Sequence, residues 1–322
     1  FLVGGAAVDN VLADVWEYRP ASDSWTLRSA YSGNGRIGAA GFALGGKAYV
    51  CGGEKGSLRN DVWEFDPATG TWAQKADFGG TARKYATGFA IGTKGYVVGG
   101  YDTAPSKELW QYSASANTWT RKADLGGEAR RNAAAFVLSD RGYVCAGKGA
   151  NDLQDLWCYD PTANVWTRNA DLTGAARFGA VAFSISGKGY VSGGASGTMR
   201  LAYYKDIWSY DPAANTWTRK QDHPNEATTA PLGFGTTDRG YMITREATTG
   251  LTTTWAYEPV ANSWSKVAAF PGKARDGGLA VGVGGTGYIG TGAADRQALN
   301  DWWSYVPPAQ IAVPLPGPTL TR

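Results

Sequence analysis

Short apolar segments, separated by glycine, Asp-Pro or asparagine turns, recur along the whole chain. Four kinds follow one another: small and apolar (GAAGFAL from Gly38), aromatic with a diglycine (GYVVGG from Gly95), acid and tryptophan (DVWEFDP from Asp61), and Thr-Trp (NTWTRKADL from Asn117). Runs of this length, rich in aromatic or β-branched residues and bounded by turn residues, predict β-strands. No segment shows a helical period of adequate length. The pattern predicts an all-β protein with four strands in each period.

The tryptophans measure the period. One series has spacings of 47, 47, 47, 51, 47 and 48 residues, and a second lies nine residues behind it. With Trp302 they account for all 14 tryptophans. A four-stranded unit repeated at a fixed period predicts a β-propeller, whose blades surround an axis. The first series is Trp16, Trp63, Trp110, Trp157, Trp208, Trp255 and Trp303, and the second is Trp25, Trp72, Trp119, Trp166, Trp217 and Trp264.

Three recurrent features resemble the kelch motif: the diglycine after an aromatic strand, the Tyr or Phe after the first Trp, and the second Trp nine residues later. The resemblance covers residues 1–306 and implies a kelch-type propeller of the galactose-oxidase-like superfamily. A WD40 propeller would need recurrent Gly-His pairs, and the chain has a single histidine, His223. We expect the tryptophans to pack between blades rather than to stack on a ligand.

The predicted strands do not divide evenly into blades. Labelled a to d from the axis outward, they number six a, seven b, seven c and six d strands. The chain starts within a b-type segment (FLVGG from Phe1) and its last repeat ends after a c-type segment (DWWSYVP from Asp301). The count predicts about seven blades, with the first lacking its a strand and the last its d strand. Six blades are the alternative.

Residues 307–322 form a proline-rich segment that holds five of the 14 prolines. Three interpretations stay open: a disordered tail or linker, a strand that closes the ring within the molecule, and a strand donated to the open first blade of a neighbour. Donation would build a head-to-tail polymer, because such a contact is heterologous. The candidate donor residues are Gln310, Ile311, Ala312, Val313 and Leu315.

Charged residues recur at two positions of the repeat. An arginine precedes the a strand in five repeats, and an acid stands two residues before the first Trp in six. In one repeat both are replaced together, by Thr228 and Thr253, which favours a structural ion pair over a ring of arginines that binds an anionic sugar or carboxylate. The arginines are Arg36, Arg83, Arg130, Arg177 and Arg275, and the acids are Asp14, Asp61, Glu108, Asp155, Asp206 and Asp301.

The b–c loops vary most between repeats, so we expect the ligand or partner face there, where the a and c strands also begin. They include residues 101–107, 148–154 and the longest, 195–205. In another repeat Thr244-Arg245 replaces the diglycine. The candidate residues of this face are Tyr101, Tyr203, Tyr204 and Arg245, together with the repeat arginines.

Composition excludes several classes of protein. The formal charge is +3, with 31 Lys and Arg against 28 Asp and Glu, and no five like charges run together, so we expect neither nucleic-acid nor membrane-surface binding. No run of 18 apolar residues predicts a membrane span. One histidine and three cysteines without metal-ligand spacing predict no metal and no cofactor. Cys145 and Cys158 either pair or, as we favour, remain two buried thiols.

The resemblance also bears on catalysis. Galactose-oxidase-type kelch enzymes use a copper site with two histidines, which this chain cannot supply. Kelch sialic-acid mutarotases use polar groups near the axis, so a sugar-binding or mutarotase-like propeller remains the alternative. We expect a non-catalytic interaction, adhesion or assembly unit, secreted by a bacterium or held at its surface. Its partners would be other protein subunits, copies of itself, or glycans.

Overall fold

The computed structural model describes residues 15–19, 24–28, 31–225, 231–245, 252–271, 277–283, 285–294, 297–298 and 302–305. All regular structure in these ranges is β, which confirms the predicted all-β class. Two strands come first in the chain, β1 (Val15–Arg19) and β2 (Ser24–Arg28). The predicted tail, residues 307–322, lies outside the described residues, as do Phe1 and Arg275.

Five sheets of the described chain have four antiparallel strands each, and we number them blades 1 to 5. Blade 1 contains β3 (Ala40–Leu44), β4 (Lys47–Lys55), β5 (Ser57–Asp66) and β6 (Thr71–Lys75). Blade 2 contains β7 (Thr87–Ile91), β8 (Lys94–Val98), β9 (Leu109–Ser113) and β10 (Thr118–Lys122). Blade 3 contains β11 (Ala134–Leu138), β12 (Arg141–Lys148), β13 (Asp152–Asp160) and β14 (Val165–Asn169).

Blade 4 contains β15 (Val181–Ile185), β16 (Lys188–Ser192), β19 (Ile207–Asp211) and β20 (Thr216–Arg219). Its b–c loop adds a small hairpin of β17 (Ala195–Ser196) and β18 (Ala202–Tyr203). Blade 5 contains β21 (Leu232–Gly235), β22 (Gly240–Arg245), β23 (Thr252–Glu258) and β24 (Ser263–Val267). Blade 6 begins with β25 (Leu279–Val283) and β26 (Thr286–Gly290), continues through a hairpin of β27 (Ala293–Ala294) and β28 (Gln297–Ala298), and reaches β29 (Trp302–Tyr305).

Six sheets, not seven, surround the axis in the described part of the chain. The innermost strands β3, β7, β11, β15, β21 and β25 contact one another in this order, and β25 contacts β3. Two backbone bonds close the ring between blades 6 and 1: Gly38 N–H donates to Gly277 O at 2.9 Å, and Gly292 N–H donates to Arg36 O at 2.6 Å. The described residues thus form six blades, as in the alternative count, and the count of seven is not confirmed.

The two incomplete repeats share blade 6, which explains the excess in the strand count. Its strand order is β2-β1-β29-β26-β25, so the N-terminal c and d strands lie beside the C-terminal a, b and c strands. The two c strands run parallel, with Val15 opposite Trp302 and Trp16 opposite Trp303. The sequence count treated these two sets as separate blades, because strand pairing between the chain ends has no local signal.

The core lies between blades and uses one aromatic pair in each of blades 1 to 5. A phenylalanine of the a strand stacks on the tyrosine opposite it on the b strand, with ring centroids 4.9–5.7 Å apart. The same phenylalanine covers the glycine that precedes the tyrosine of the next blade, where a Cβ would overlap its ring. The stacked pairs are Phe42 and Tyr49, Phe89 and Tyr96, Phe136 and Tyr143, Phe183 and Tyr190, and Phe234 and Tyr241, and the covered glycines are Gly95, Gly142, Gly189, Gly240 and Gly287.

Four tryptophans of the d strands join neighbouring blades, as the packing interpretation predicted. Trp166 Nε1–H donates to Ala123 O of the preceding blade at 2.9 Å, and Trp217 Nε1–H donates to Ala170 O at 2.9 Å. Trp119 and Trp264 make the same bond. The three cysteines, Cys51, Cys145 and Cys158, are buried free thiols, so the expected pair of buried thiols is confirmed.

His223 is a buried core residue of blade 5. Its imidazole is 3% exposed and packs edge-on against Trp255 and Trp264. The equivalent positions of other blades hold Tyr31, Phe78, Leu125, Leu172 and Phe270. Burial lowers the pKa of His223 to about 4, because the charged imidazolium would lose its hydration.

We predict that His223→Phe removes an acid-sensitive part of the stability. Since the unfolded imidazole has a pKa near 6.5, the unfolded state binds a proton first as the pH falls, and the native state loses about 2 to 3 kcal/mol between pH 7 and pH 4.5. Denaturant unfolding of both proteins at these two pH values measures the loss. An equal loss of stability in His223→Phe would show that another group is responsible.

Candidate binding face

The repeat arginines lie buried between strands, at 0–4% exposure in blades 1 to 4. Arg130 shows the common arrangement: its Nη1 and Nη2 groups donate to the two carboxylate oxygens of Asp155 at 2.6 and 2.7 Å, and Nη1 also donates to Ala146 O. Trp157 Nε1–H donates to the same carboxylate at 2.6 Å. The pairs of the other three blades are Arg36 with Asp61, Arg83 with Glu108, and Arg177 with Asp206.

The ion pairs change the electrostatics of the acids. Burial by itself would raise the pKa of Asp155, but the hydrogen bonds and charge of Arg130 lower it below its usual range. Asp61 and Asp206 behave in the same way. The predicted structural ion pair is therefore confirmed in blades 1 to 4. An open ring of arginines for an anion does not fit these four buried, paired guanidiniums.

Blade 5 replaces the ion pair with a neutral hydrogen-bonded group. Asn225 Nδ2 donates to Thr253 Oγ1 at 2.7 Å and to Thr244 Oγ1 at 3.2 Å. Asn225 occupies the position that is Gly33, Gly80, Gly127 or Gly174 in blades 1 to 4. A Cβ at Gly127 would lie 2.5 Å from Arg130 Nη2, so a side chain fits there only when the arginine is absent. Thr228, which replaces that arginine, lies outside the described residues.

Backbone pairing between the a and b strands continues beyond the diglycine, towards the b–c loops, through the residue that follows each repeat arginine. This residue forms a two-bond backbone pair with the residue after the diglycine of its own blade. The pairs are Ile37 with Glu54, Lys84 with Tyr101, Arg131 with Lys148, and Phe178 with Ala195. We call the group Glu54, Lys84, Tyr85, Tyr101, Arg131, Lys148 and Phe178 the axial mouth.

Backbone bonds between blades place the axial mouth at the centre of the ring. Tyr85 N–H donates to Gly38 O at 2.6 Å, Asn132 N–H to Tyr85 O at 2.9 Å, and Gly179 N–H to Asn132 O at 2.9 Å. All four residues have positive φ, between 52° and 66°. Tyr85 is the unusual member, because a bulky side chain rarely adopts this conformation. A Cβ at Gly38 would lie 2.7 Å from the Tyr85 ring, so the missing side chain makes room for it.

Side chains of the axial mouth contact each other across the blade boundaries. Lys84 Nζ pairs with Glu54 at 2.5 Å, Arg131 lies over the Tyr101 ring at 4.8 Å, and Lys148 lies over Phe178 at 5.6 Å. Burial raises the pKa of Tyr85, with Glu54 raising it further and Arg131 opposing both.

The two lysines of the axial mouth have acidic partners, Glu54 for Lys84 and Asp152 for Lys148. The Arg131 guanidinium has no hydrogen bond or ion pair with any described residue, and its contact is the Tyr101 ring. Arg131 is therefore the cation of this group whose charge is not neutralised by a described acid, so it is available to bind another molecule.

The other candidates from the b–c loops take different positions. Tyr204 packs over the Arg177 guanidinium at 4.4 Å and its hydroxyl bonds Ser196 at 2.7 Å, so it supports the hairpin. Tyr203 is 39% exposed. Arg245 is exposed at the end of β22, opposite Thr252. The structure brings only Tyr101 of these residues into the axial mouth.

Sequence reasoning missed Lys84, Tyr85 and Arg131. A signal for them existed, because the residue after the repeat arginine changes chemistry from blade to blade while the residues around it stay similar: Ile37, Lys84, Arg131 and Phe178. Within the described residues, no group of three or more His, Cys, Asp or Glu could hold a metal ion, and no helix is long and apolar enough to span a membrane.

Comparison with known proteins agrees with this architecture. The Kelch motif matches residues 35–79 and 82–126, which contain blades 1 and 2. A solved structure, that of YjhT, is similar in fold, with a TM-score of 0.66 and 16% sequence identity over 76% of this chain and 88% of that chain. No curated protein sequence matches the chain. The two motif matches and the similar propeller fold together support a kelch-repeat β-propeller.

Proposed function

We propose that this propeller is a non-catalytic binding unit, and that its axial mouth holds a carboxylate of the ligand or partner against Arg131. The observation that carries this proposal is the half-buried Arg131 guanidinium, which stacks on Tyr101 and has no acidic partner among the described residues. A guanidinium oriented by an aromatic ring is suited to bidentate binding of a carboxylate.

The charges of the axial mouth favour an anion. Among the described residues, the axial mouth has three cations, Lys84, Arg131 and Lys148, against one acid of its own, Glu54, and the neighbouring Asp152, which leaves one net positive charge. Because the two lysines are already paired, the excess charge belongs to Arg131. The contacts of Arg131 and Lys84 across the blade boundaries fix this arrangement, so little side-chain freedom is lost on binding.

We predict that Arg131→Gln weakens binding of acidic ligands at least 10-fold, since a charge-assisted bond contributes about 1.5 to 3 kcal/mol. An array of acidic saccharides and acidic peptides identifies the ligand, and calorimetry measures its affinity for both proteins. Arg168→Gln is the matched control, because Arg168 is an exposed arginine on β14 that pairs with Asp171. Equal weakening by both variants would contradict a specific role of Arg131.

We further propose that the unit works outside the cell, in adhesion or assembly, with other subunits or copies of itself as partners. The low content of charged residues, 18%, supports an extracellular location. The doubled c strand of blade 6 supports assembly, because β1 is a second c strand that lies beyond β29, and one of the two could instead pair with the b strand of another copy. Strand exchange between copies, or donation of residues 310–315, would then link molecules head to tail.

Light scattering tests the assembly proposal. Deletion of residues 308–322 should abolish polymers if this segment is the donor. Polymers of unchanged size would reject the donor role of Gln310, Ile311, Ala312, Val313 and Leu315.

A sugar-isomerising propeller is the second candidate function. Tyr85 and Glu54 favour it, because a phenol and a carboxylate near a guanidinium are groups that can exchange protons with a bound acidic sugar. Exchange between the anomers of N-acetylneuraminate, followed by NMR with catalytic amounts of protein, tests this candidate. An exchange rate equal to that in buffer would leave binding alone.

A further inference from the structure

The b–c loop of blade 4 gathers the exposed apolar surface of the candidate face. Four large apolar side chains are exposed in the described chain: Met199 at 85%, Tyr203 at 39%, Val165 at 49% and Val260 at 94%. The first two belong to one hairpin, whereas Val165 begins β14 and Val260 lies at the c–d turn of blade 5. The only other methionine, Met242, is 2% exposed in the core.

The base of this hairpin is firmly fixed. Gly197 N–H donates to Asp152 Oδ2 at 2.6 Å, and Lys148 Nζ contacts both Asp152 and Gly197 O. The Tyr204 ring is held between Arg177 and Ser196, and Tyr204 N–H donates to Gly194 O at 2.9 Å. The tip is thus presented in a defined position, which lowers the entropy lost on binding.

The hairpin continues the surface of the axial mouth. Lys148 forms the backbone pair with Arg131 and also reaches the hairpin through Gly197 O at 3.4 Å. Residues 195–205 include Arg200 and Lys205 and no acid. Lys148 therefore links an apolar tip with basic neighbours to a guanidinium that has no acidic partner among the described residues. This charge pattern complements a partner that carries both acidic and apolar side chains.

We infer that the hairpin 195–204 and Arg131 together recognise an acidic peptide segment of a partner protein, with a carboxylate on Arg131 and an apolar side chain against Met199. The inference rests on the proposed function, because it uses the carboxylate site at Arg131. Methionine is flexible and polarizable, so it adapts well to an apolar side chain of the peptide.

A random-peptide phage library panned on the full chain provides the probe. Selected peptides should combine Asp or Glu with an apolar residue. A synthetic peptide with the selected sequence should bind Met199→Ser at least 10-fold more weakly than the unmodified protein. Val260→Ser, a matched change at the exposed tip of a different turn, should leave its affinity unchanged. Equal thermal midpoints of the variants verify that folding is unaffected.

The outcomes separate this inference from the proposed function. If Arg131→Gln weakens binding of the peptide and Met199→Ser does not, the hairpin has no recognition role and only the carboxylate site stands. If panning selects no acidic peptide while acidic saccharides bind through Arg131, the inference is again overturned. If neither class of ligand depends on Arg131, the proposed function itself fails.

Discussion

Gly95→Ala is expected to destabilise the protein by about 3 kcal/mol, because the added Cβ would overlap the Phe42 ring of the preceding blade. Gly95 is buried at the start of a b strand and cannot move away, since β8 is bonded on both sides. Phe42→Val alone should cost a similar amount through lost packing. The double variant should cost less than the sum by about 1 to 3 kcal/mol, because the smaller residue admits the methyl group. Denaturant unfolding of the three variants measures this coupling.

At one blade boundary the protein already combines a larger residue at the glycine position with a smaller residue at the phenylalanine position. Blade 1 has Ala48, fully buried, where other blades have the covered glycine, and blade 6 has Val281 where other blades have phenylalanine. Val281→Phe should therefore be harmful alone and tolerated with Ala48→Gly. Additive effects of these two changes would mean that blades 6 and 1 are not neighbours, and would contradict the six-bladed ring.

Arg177→Met is expected to destabilise the protein by about 3 to 5 kcal/mol, because it leaves the largely buried Asp206 carboxylate without its bidentate partner. In the unmodified protein, burial by itself would raise the pKa of Asp206, but Arg177 and Trp208 outweigh it and the pKa is lowered. The ion pair therefore stabilises the native state fully above the ordinary carboxyl pKa, and this stabilisation is lost as the pH falls. In the variant the bond from Trp208 remains, but Arg177 no longer opposes the effect of burial, which favours the protonated acid. The difference in unfolding free energy between the two proteins should accordingly shrink as the pH falls from 7 to 4.

Blade 5 supplies the rescue for this variant. Gly174→Asn with Arg177→Thr and Asp206→Thr copies into blade 4 the residues that the blade 5 sequence has at these positions, Asn225, Thr228 and Thr253, of which Asn225 and Thr253 are hydrogen-bonded. The triple variant should recover at least half of the stability that Arg177→Met loses. A triple variant as unstable as Arg177→Met, with no pH dependence in either protein, would show that the ion pair is not the source of the effect.

The fold could be predicted from the sequence to the level of the blade, because tryptophans, glycines and acids recur at fixed positions that local structure determines. The number of blades could not. Closure depends on β1 lying beside β29, two segments far apart in the chain whose pairing leaves no trace in either segment. One signal for closure was present in the sequence: Ala48 replaces the covered glycine and Val281 replaces the phenylalanine that would cover it. These two departures from the repeat lie on facing surfaces of blades 1 and 6.

The candidate site was predictable only in part. Joint loss of both charges in blade 5 indicated the ion pair, and the structure agrees. The same reasoning could have excluded the repeat arginines from the binding face, since a buried, paired guanidinium is not accessible to a ligand. Arg131 escaped attention because its neighbour Arg130 matched the repeat, and only the structure shows which of the two has a partner.

The proposal that the axial mouth binds a carboxylate through Arg131 is tested most directly by titrating an acidic ligand from the array and its primary amide into the protein and into Arg131→Gln. The amide keeps the size of the ligand but lacks the charge. We expect the acid to bind the unmodified protein at least 10-fold more tightly than the amide, and the two ligands to bind Arg131→Gln equally. Equal preference for the acid in both proteins would contradict the assignment of Arg131 as the carboxylate-binding residue.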